Sequence, residues 1–213
     1  MKPSLFTAVL LFAVSGLSAP VAKGTPTLNT TDRTAPAPFS QTTTVYPDLQ
    51  VKWKSKEPTT PARNTATGHL LNNPSEQVHT AVYFNLAKQP QIMGKTCKLV
   101  FRLSQNDWAI NQFSAAPPKL DLYRMNSCLN EGYSWNNKVS RGAHTGILTP
   151  TKGGAAAWQT VDMSTDRMTP IMGAAPTFPC DANEYSFEMI ARAGANIGWI
   201  SGSGSGLSIE ICG

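Results

Sequence analysis

Charge is scarce in this sequence. Lys, Arg, Asp and Glu make up 15% of its 213 residues, against roughly 25% in an average soluble domain. Neither a charge-rich disordered chain nor a coiled coil fits that composition. The formal excess is only +5, and the one tight basic group, Lys52, Lys54 and Lys56, falls at every second residue. A nucleic-acid surface concentrates many more cations on one face, so no nucleic-acid partner is expected, and the three lysines read as the wet face of an edge strand. Histidine is rarer still: His69, His79 and His144 stand far apart with no i, i+4 pair. That leaves no zinc or iron ligand set, and neither a metal nor a cofactor is expected. No apolar run approaches the roughly 20 residues of a membrane span. No stretch sustains an apolar 3.6-residue period over a dozen positions, and no Gly-x-Ser-x-Gly sits in the strand–turn–helix context of a hydrolase nucleophile.

What is present begins with a leader. Lys2 precedes the apolar run 5–14, and small residues Ser15, Gly16, Ser18 and Ala19 follow. Residues 1–19 are therefore expected to be a signal peptide, cut after Ala19 or nearby at Ser18 or Ala22, and the protein to be secreted, with no membrane anchor. None of these cuts leaves the N-terminal His that a secreted copper oxygenase requires. Residues 20–44 are Thr, Pro, Ala and Ser with few large apolar side chains. Such a segment cannot bury enough surface to offset its ordering entropy, so a disordered linker is expected, either an O-glycosylated stalk or a plain spacer. Asn29-Thr30-Thr31 is the full N-glycosylation sequon, with Asn29 the acceptor. The four cysteines, Cys97, Cys128, Cys180 and Cys212, favour two disulfides in a secreted chain, with all three connectivities open.

From Val45 onward the apolar period is two. Leu49, Val51 and Trp53 share one parity and Gln50, Lys52 and Lys54 the other. Residues 57–74 read as a polar connector. Strands are expected at 78–86, 97–103, 119–125, 142–148, 157–162, 184–192, 195–201 and 207–212. In 184–192, Tyr185, Phe187 and Met189 take one face, which leaves Ser186 and Glu188 on a wet one. Regular short strands with turn residues between them argue for an all-β fold, a jelly-roll-like sandwich of two antiparallel sheets over 45–213. Ser201-Gly202-Ser203-Gly204-Ser205-Gly206 reads as a flexible loop and not as a phosphate loop, since it has no lysine and no following helix.

Several segments taken together resemble a known family. They are Tyr46-Pro47-Asp48, Gly94-Lys95-Thr96-Cys97-Lys98-Leu99-Val100-Phe101, Tyr133-Ser134-Trp135-Asn136-Asn137, Phe178-Pro179-Cys180 and Gly206-Leu207-Ser208-Ile209-Glu210-Ile211-Cys212. In this order they are similar to the fungal family named after the C-terminal domain of the But-two protein, over about 45–213. The resemblance implies a β-rich, secreted or wall-associated domain with no catalytic residues to carry over. The family takes its name from one member that binds the activating enzyme of a ubiquitin-like modifier. That enzyme is cytosolic, so the leader here argues against the same partner. Cys97, Cys180 and Cys212 match the family pattern and Cys128 is additional. Joining the two best-matched strands gives Cys97–Cys212 and leaves Cys128–Cys180, although Cys212 follows Ile211 out of phase with the apolar parity.

Recognition is the function class these residues favour. Trp108, Tyr133, Trp135 and Trp199 lie outside clear core parity, beside Asn106, Asp107, Asn136, Asn137 and Asn196. Aromatic faces flanked by amides suit stacking on sugar rings while hydrogen bonds reach hydroxyls. Trp108 and Trp199 are expected to plug the ends of the sandwich, which leaves Tyr133, Trp135, Asn136 and Asn137 as the candidate ligand site. The expected partner is a cell-wall polysaccharide or an extracellular protein, bound by a non-catalytic monomer. The alternatives are a secreted effector that binds a host protein and a glycan hydrolase using Glu184 or Glu188 with Asp162.

Overall fold

A computed structural model describes residues 43–161 and 170–212. The leader, nearly all of the Thr/Pro segment with Asn29, and Asp162 lie outside the described residues. The described strands are β1 (Thr43–Val45), β2 (Leu49–Lys54), β3 (Thr67–Asn73), β4 (Glu76–Asn85), β5 (Thr96–Leu103), β6 (Trp108–Asn111), β7 (Leu120–Met125), β8 (Arg141–Thr149), β9 (Gly154–Ala155), β10 (Ala157–Val161), β11 (Pro170–Met172), β12 (Thr177–Pro179), β13 (Glu184–Ala191), β14 (Ala195–Ile200) and β15 (Gly206–Cys212). The smaller sheet runs β1-β15-β5-β12, with β9 also on β5. The larger runs β11-β10-β8-β7-β13-β4-β3-β14-β6, with β2 also on β4. Every strand pair is antiparallel. The all-β sandwich read from the alternation is the observed architecture.

The main core lies between the sheets. Leu99, Phe101, Leu207 and Ile209 from the smaller sheet meet Val82, Phe84, Leu122, Phe187 and Met189 from the larger. Trp199 packs edge-on against Phe101 at 5.2 Å and is 1% exposed. It fits because Gly68 carries no side chain: a Cβ there would fall 1.9 Å from the indole. Burying each of these large side chains is worth roughly 1.5–3 kcal/mol.

Residues 57–74, read as a connector, contain a strand. Residues 71–73 of β3 pair with β4, through a hairpin whose turn is fixed by Asn73 Oδ1 accepting from the Ser75 and Glu76 backbone N–H groups. The rest of β3 leaves β4 and pairs with β14, so the larger sheet curls. The sequence Gly68-His69-Leu70 hides the strand, because glycine breaks the alternation and the histidine lies on the outer face.

The cysteine pairing is also different. Cys97 joins Cys180, with Cα atoms 5.1 Å apart, while Cys128 and Cys212 are free and exposed. The expected Cys97–Cys212 and Cys128–Cys180 bridges are both replaced. Strand parity decides this. In the β5–β15 ladder Cys97 lies opposite Ile211, and Cys212 opposite Thr96. Cys212 therefore points away from the core that Cys97 enters. On the other side of β5, Cys97 faces Phe178, which brings Cys180 beside it.

Candidate functional site

Period two assigns a residue to a face but does not say whether that face is covered. The outer face of the larger sheet carries a second apolar cluster, Val51, Trp53, Ala62, Ala81, Met125, Leu129 and Val139, with Tyr133 and Trp135 packed against it. Two loops, 57–66 and 126–140, form this cover and are tied together. Ala62 N–H donates to Tyr133 O at 2.8 Å and Asn136 N–H to Pro58 O at 2.9 Å, while Trp53 Nε1 donates to Tyr133 O at 3.2 Å. Tyr133 and Trp135 are thus brought together as part of a roof, and Asn136 and Asn137 form its exposed outer edge. Trp135 makes internal contacts: the His79 ring at 4.6 Å and Lys138 Nζ 3.7 Å from its ring centre.

Beneath this roof the outer face is dry. Ser186 and Glu188, expected to be wet, are 4% and 1% exposed. Glu188 Oε1 accepts from His79 Nδ1 at 2.7 Å, and Oε2 from Arg141 Nε at 2.6 Å. Lys138 Nζ stands 3.6 Å from Oε1. Burial alone would raise the Glu188 carboxyl, but the hydrogen bonds from His79 and Arg141 outweigh it and hold the group at about 2. Burial lowers His79, and the Glu188 hydrogen bond only partly opposes this. The ring is therefore neutral at neutral pH, with its proton on Nδ1 toward the carboxylate. A carboxylate so saturated and so firmly ionised has no proton to give as a general acid. Glu184, four residues along the same face, lies about 13 Å away at strand spacing. It accepts from Tyr83 Oη at 2.6 Å and from the Cys128 thiol at 2.9 Å. Glu184 and Glu188 are therefore separate groups, and Asp162, the expected partner of either in a hydrolase, lies outside the described residues. Nearby, Asp121 accepts from both Arg192 Nε and Nη2 at 3.0 and 2.9 Å and pairs with His144 Nε2 at 2.9 Å. Among the described residues, no three His, Cys, Asp or Glu side chains gather as a metal site.

The aromatic surface that is open to solvent lies elsewhere. Trp108, expected to plug the sandwich, is 46% exposed on β6, beside Ile110 at 51% and Ile200 at 58%. The register puts Trp108 opposite Gly198 and Ile110 opposite Asn196, so all three side chains share the outer face of the β3–β14–β6 part of the sheet. The indole lies against Gly198, where a Cβ would come within 1.9 Å of it. Its Nε1–H donates to Asn196 Oδ1 at 3.1 Å, an oxygen that His69 Nε2 also reaches at 3.1 Å. Buried Asp107 anchors the start of β6 by accepting from Ser104 N–H at 2.7 Å and Ser205 Oγ at 2.5 Å. The sequence signal for this arrangement was Gly198 itself, since a glycine inside a strand marks a close approach.

The domain is thus a two-sheet antiparallel sandwich with Trp108 exposed on one face and the Glu188 carboxylate buried and hydrogen-bonded on another. The sequence pattern of the Ubiquitin 3 binding protein But2 C-terminal domain family matches residues 45–201, about three quarters of the chain, and the protein belongs to that family. The match starts at Val45, where the strand alternation starts. No curated protein matches the chain significantly.

Proposed function

We propose that the protein is exported and acts as a non-catalytic recognition domain, docking an extracellular protein on its β3–β14–β6 face. The observation that carries this reading is the group Trp108, Ile110 and Ile200, three large apolar side chains each about half exposed on one sheet face. Contiguous apolar exposure on a rigid element is the mark of an interaction surface, and a pinned Trp is a common anchor of one. The two isoleucines beside the indole favour a protein contact, because a sugar platform surrounds its ring with polar groups. The family description, which names a ubiquitin-binding protein, supports protein recognition as the class. The leader supports export, and the Thr/Pro segment suits a stalk that holds the domain at a cell wall. The engagement of Glu188 by Arg141 and His79 supports a structural role for one of the two glutamates a hydrolase would have used.

The test is capture on immobilised mature protein beside Trp108→Ala and Ile110→Asp. Proteins from culture fluid or host extract that wild type retains and both folded variants lose would support the face. Equal retention by all three would remove it.

A further inference from the structure

We propose a second site, independent of the partner face: a cleft at one end of the sandwich that binds a neutral sugar residue of a glycan. The cleft has a volume of about 370 Å³, within the roughly 300–1,000 Å³ of small-ligand sites. Three separate segments form it. They are the Tyr46-Pro47-Asp48 turn between β1 and β2, residues 64–66 before β3, and the Ser/Gly loop between β14 and β15. Two of these are sequence motifs that the partner face does not use. Ser201 N–H donates to Ala66 O at 2.8 Å, which closes one wall.

The polar groups in the cleft are arranged for a ligand with hydroxyls. Gln50 is only 5% exposed, and its side chain is oriented by Nε2–H donating to Thr65 O at 3.2 Å. Its Oε1 has no partner among the described residues. Asn64 Oδ1 accepts from Gln50 N–H at 3.2 Å, which leaves its Nδ2 donors free to face a ligand. Ser201 Oγ is buried and likewise has no partner among the described residues. A hydroxyl as buried as that of Ser201 costs stability when unmet, unless something fills the place. Tyr46, 50% exposed, supplies an aromatic face at the rim.

Charge selects the class. Asp48 is the one charged residue in the lining, and it is already engaged: Oδ1 by Lys88 at 2.7 Å and Oδ2 by the Asn85 N–H at 2.8 Å. Nothing in the cleft is left to neutralise a cation or an anion. A mixed set of amide, hydroxyl and phenol groups beside one aromatic ring matches a pyranose, whose hydroxyls donate and accept and whose C–H face stacks.

The probes are cellotetraose, laminaritetraose, chitotetraose and mannotetraose, titrated into the labelled mature protein and followed by NMR. A gluco- or chito-oligomer response would assign the source as a structural wall polymer, and a manno-oligomer response as the glycan of a glycoprotein. Saturable shifts centred on Tyr46, Gln50, Asn64 and Ser201 are expected for at least one of the four. Tyr46→Ala and Gln50→Met should each weaken binding roughly tenfold or more, about 1.4 kcal/mol, with the fold intact by its amide spectrum. Trp108→Ala should leave sugar binding unchanged, so failure of this site and failure of the partner face are read separately. No saturable shift with any tetrasaccharide at millimolar concentration would overturn the proposal. So would shifts that both cleft variants leave unaltered.

Discussion

Glu188 is the residue on which the outer face of the larger sheet depends. One buried carboxylate engages Arg141, Lys138 and His79 beside the Trp135 roof, so Glu188→Gln removes an acceptor that the half-exposed Arg141 and the partly buried Lys138 both use. A loss of about 1–3 kcal/mol is expected in urea unfolding, whereas a loss well under about 1 kcal/mol would show the cluster to be no more than a surface pair. The pH dependence has a definite sign. Folding lowers the Glu188 carboxyl from 4.5 to about 2, so its contribution is complete above about 4.5 and is lost as pH falls toward 2. His79 is lowered from 6.5, and its neutral form belongs to the fold, so stability also declines as pH drops below 6.5. The urea midpoint should therefore fall with acid through both windows, and Glu188→Gln should flatten the fall below 4.5. Because burial is the main cause of the His79 shift, Trp135→Ala should move the His79 titration back toward 6.5 by NMR. An unmoved titration would mean that the roof does not exclude water.

At the scale of elements, the alternation of large apolar residues made most strands legible, including β5, β13 and β15. It did not reveal what lies over them. Ser186 and Glu188 looked wet because their parity is correct for an outer face; the covering loops come from sequence more than 40 residues away and have no periodic signature. β3 was lost for the opposite reason, since its strand character comes from its partners and not from its own composition. The cysteines were half legible. The out-of-phase position of Cys212 already opposed its bridge to Cys97, and the β5–β12 pairing that brings Cys180 close rests on a three-residue strand. Alkylation of the native protein should label two thiols, Cys128 and Cys212, and four after reduction. Cys128 should react more slowly, because its hydrogen bond to Glu184 raises its thiol. Labelling of none or four in the native state would contradict the pairing. Cys97→Ser should cost roughly 4.5 kcal/mol, the chain-entropy value for a loop of this length.

Across the whole molecule, chemistry is divided by surface. One face stores its charge under loops, another displays Trp108 and its isoleucines, and one end opens the Tyr46 cleft. Tyr133 and Trp135 were conspicuous in the sequence because they sit among asparagines; both are half-buried against the outer apolar cluster, and Trp135 meets the His79 ring that bonds Glu188. Trp108 was less conspicuous because its platform depends on Gly198, some 90 residues later. Aromatic composition pointed to recognition, and only the register between β6 and β14 placed the exposed ring.

The Cys97–Cys180 bridge spans 83 residues, and that span contains β6, β7, β8 and β10. A protease that cuts once anywhere inside it produces two fragments that stay covalently joined. Such a nick would leave the apparent mass on a non-reducing gel almost unchanged. The cleaved molecule would keep both of its surfaces until a reductant released the pieces.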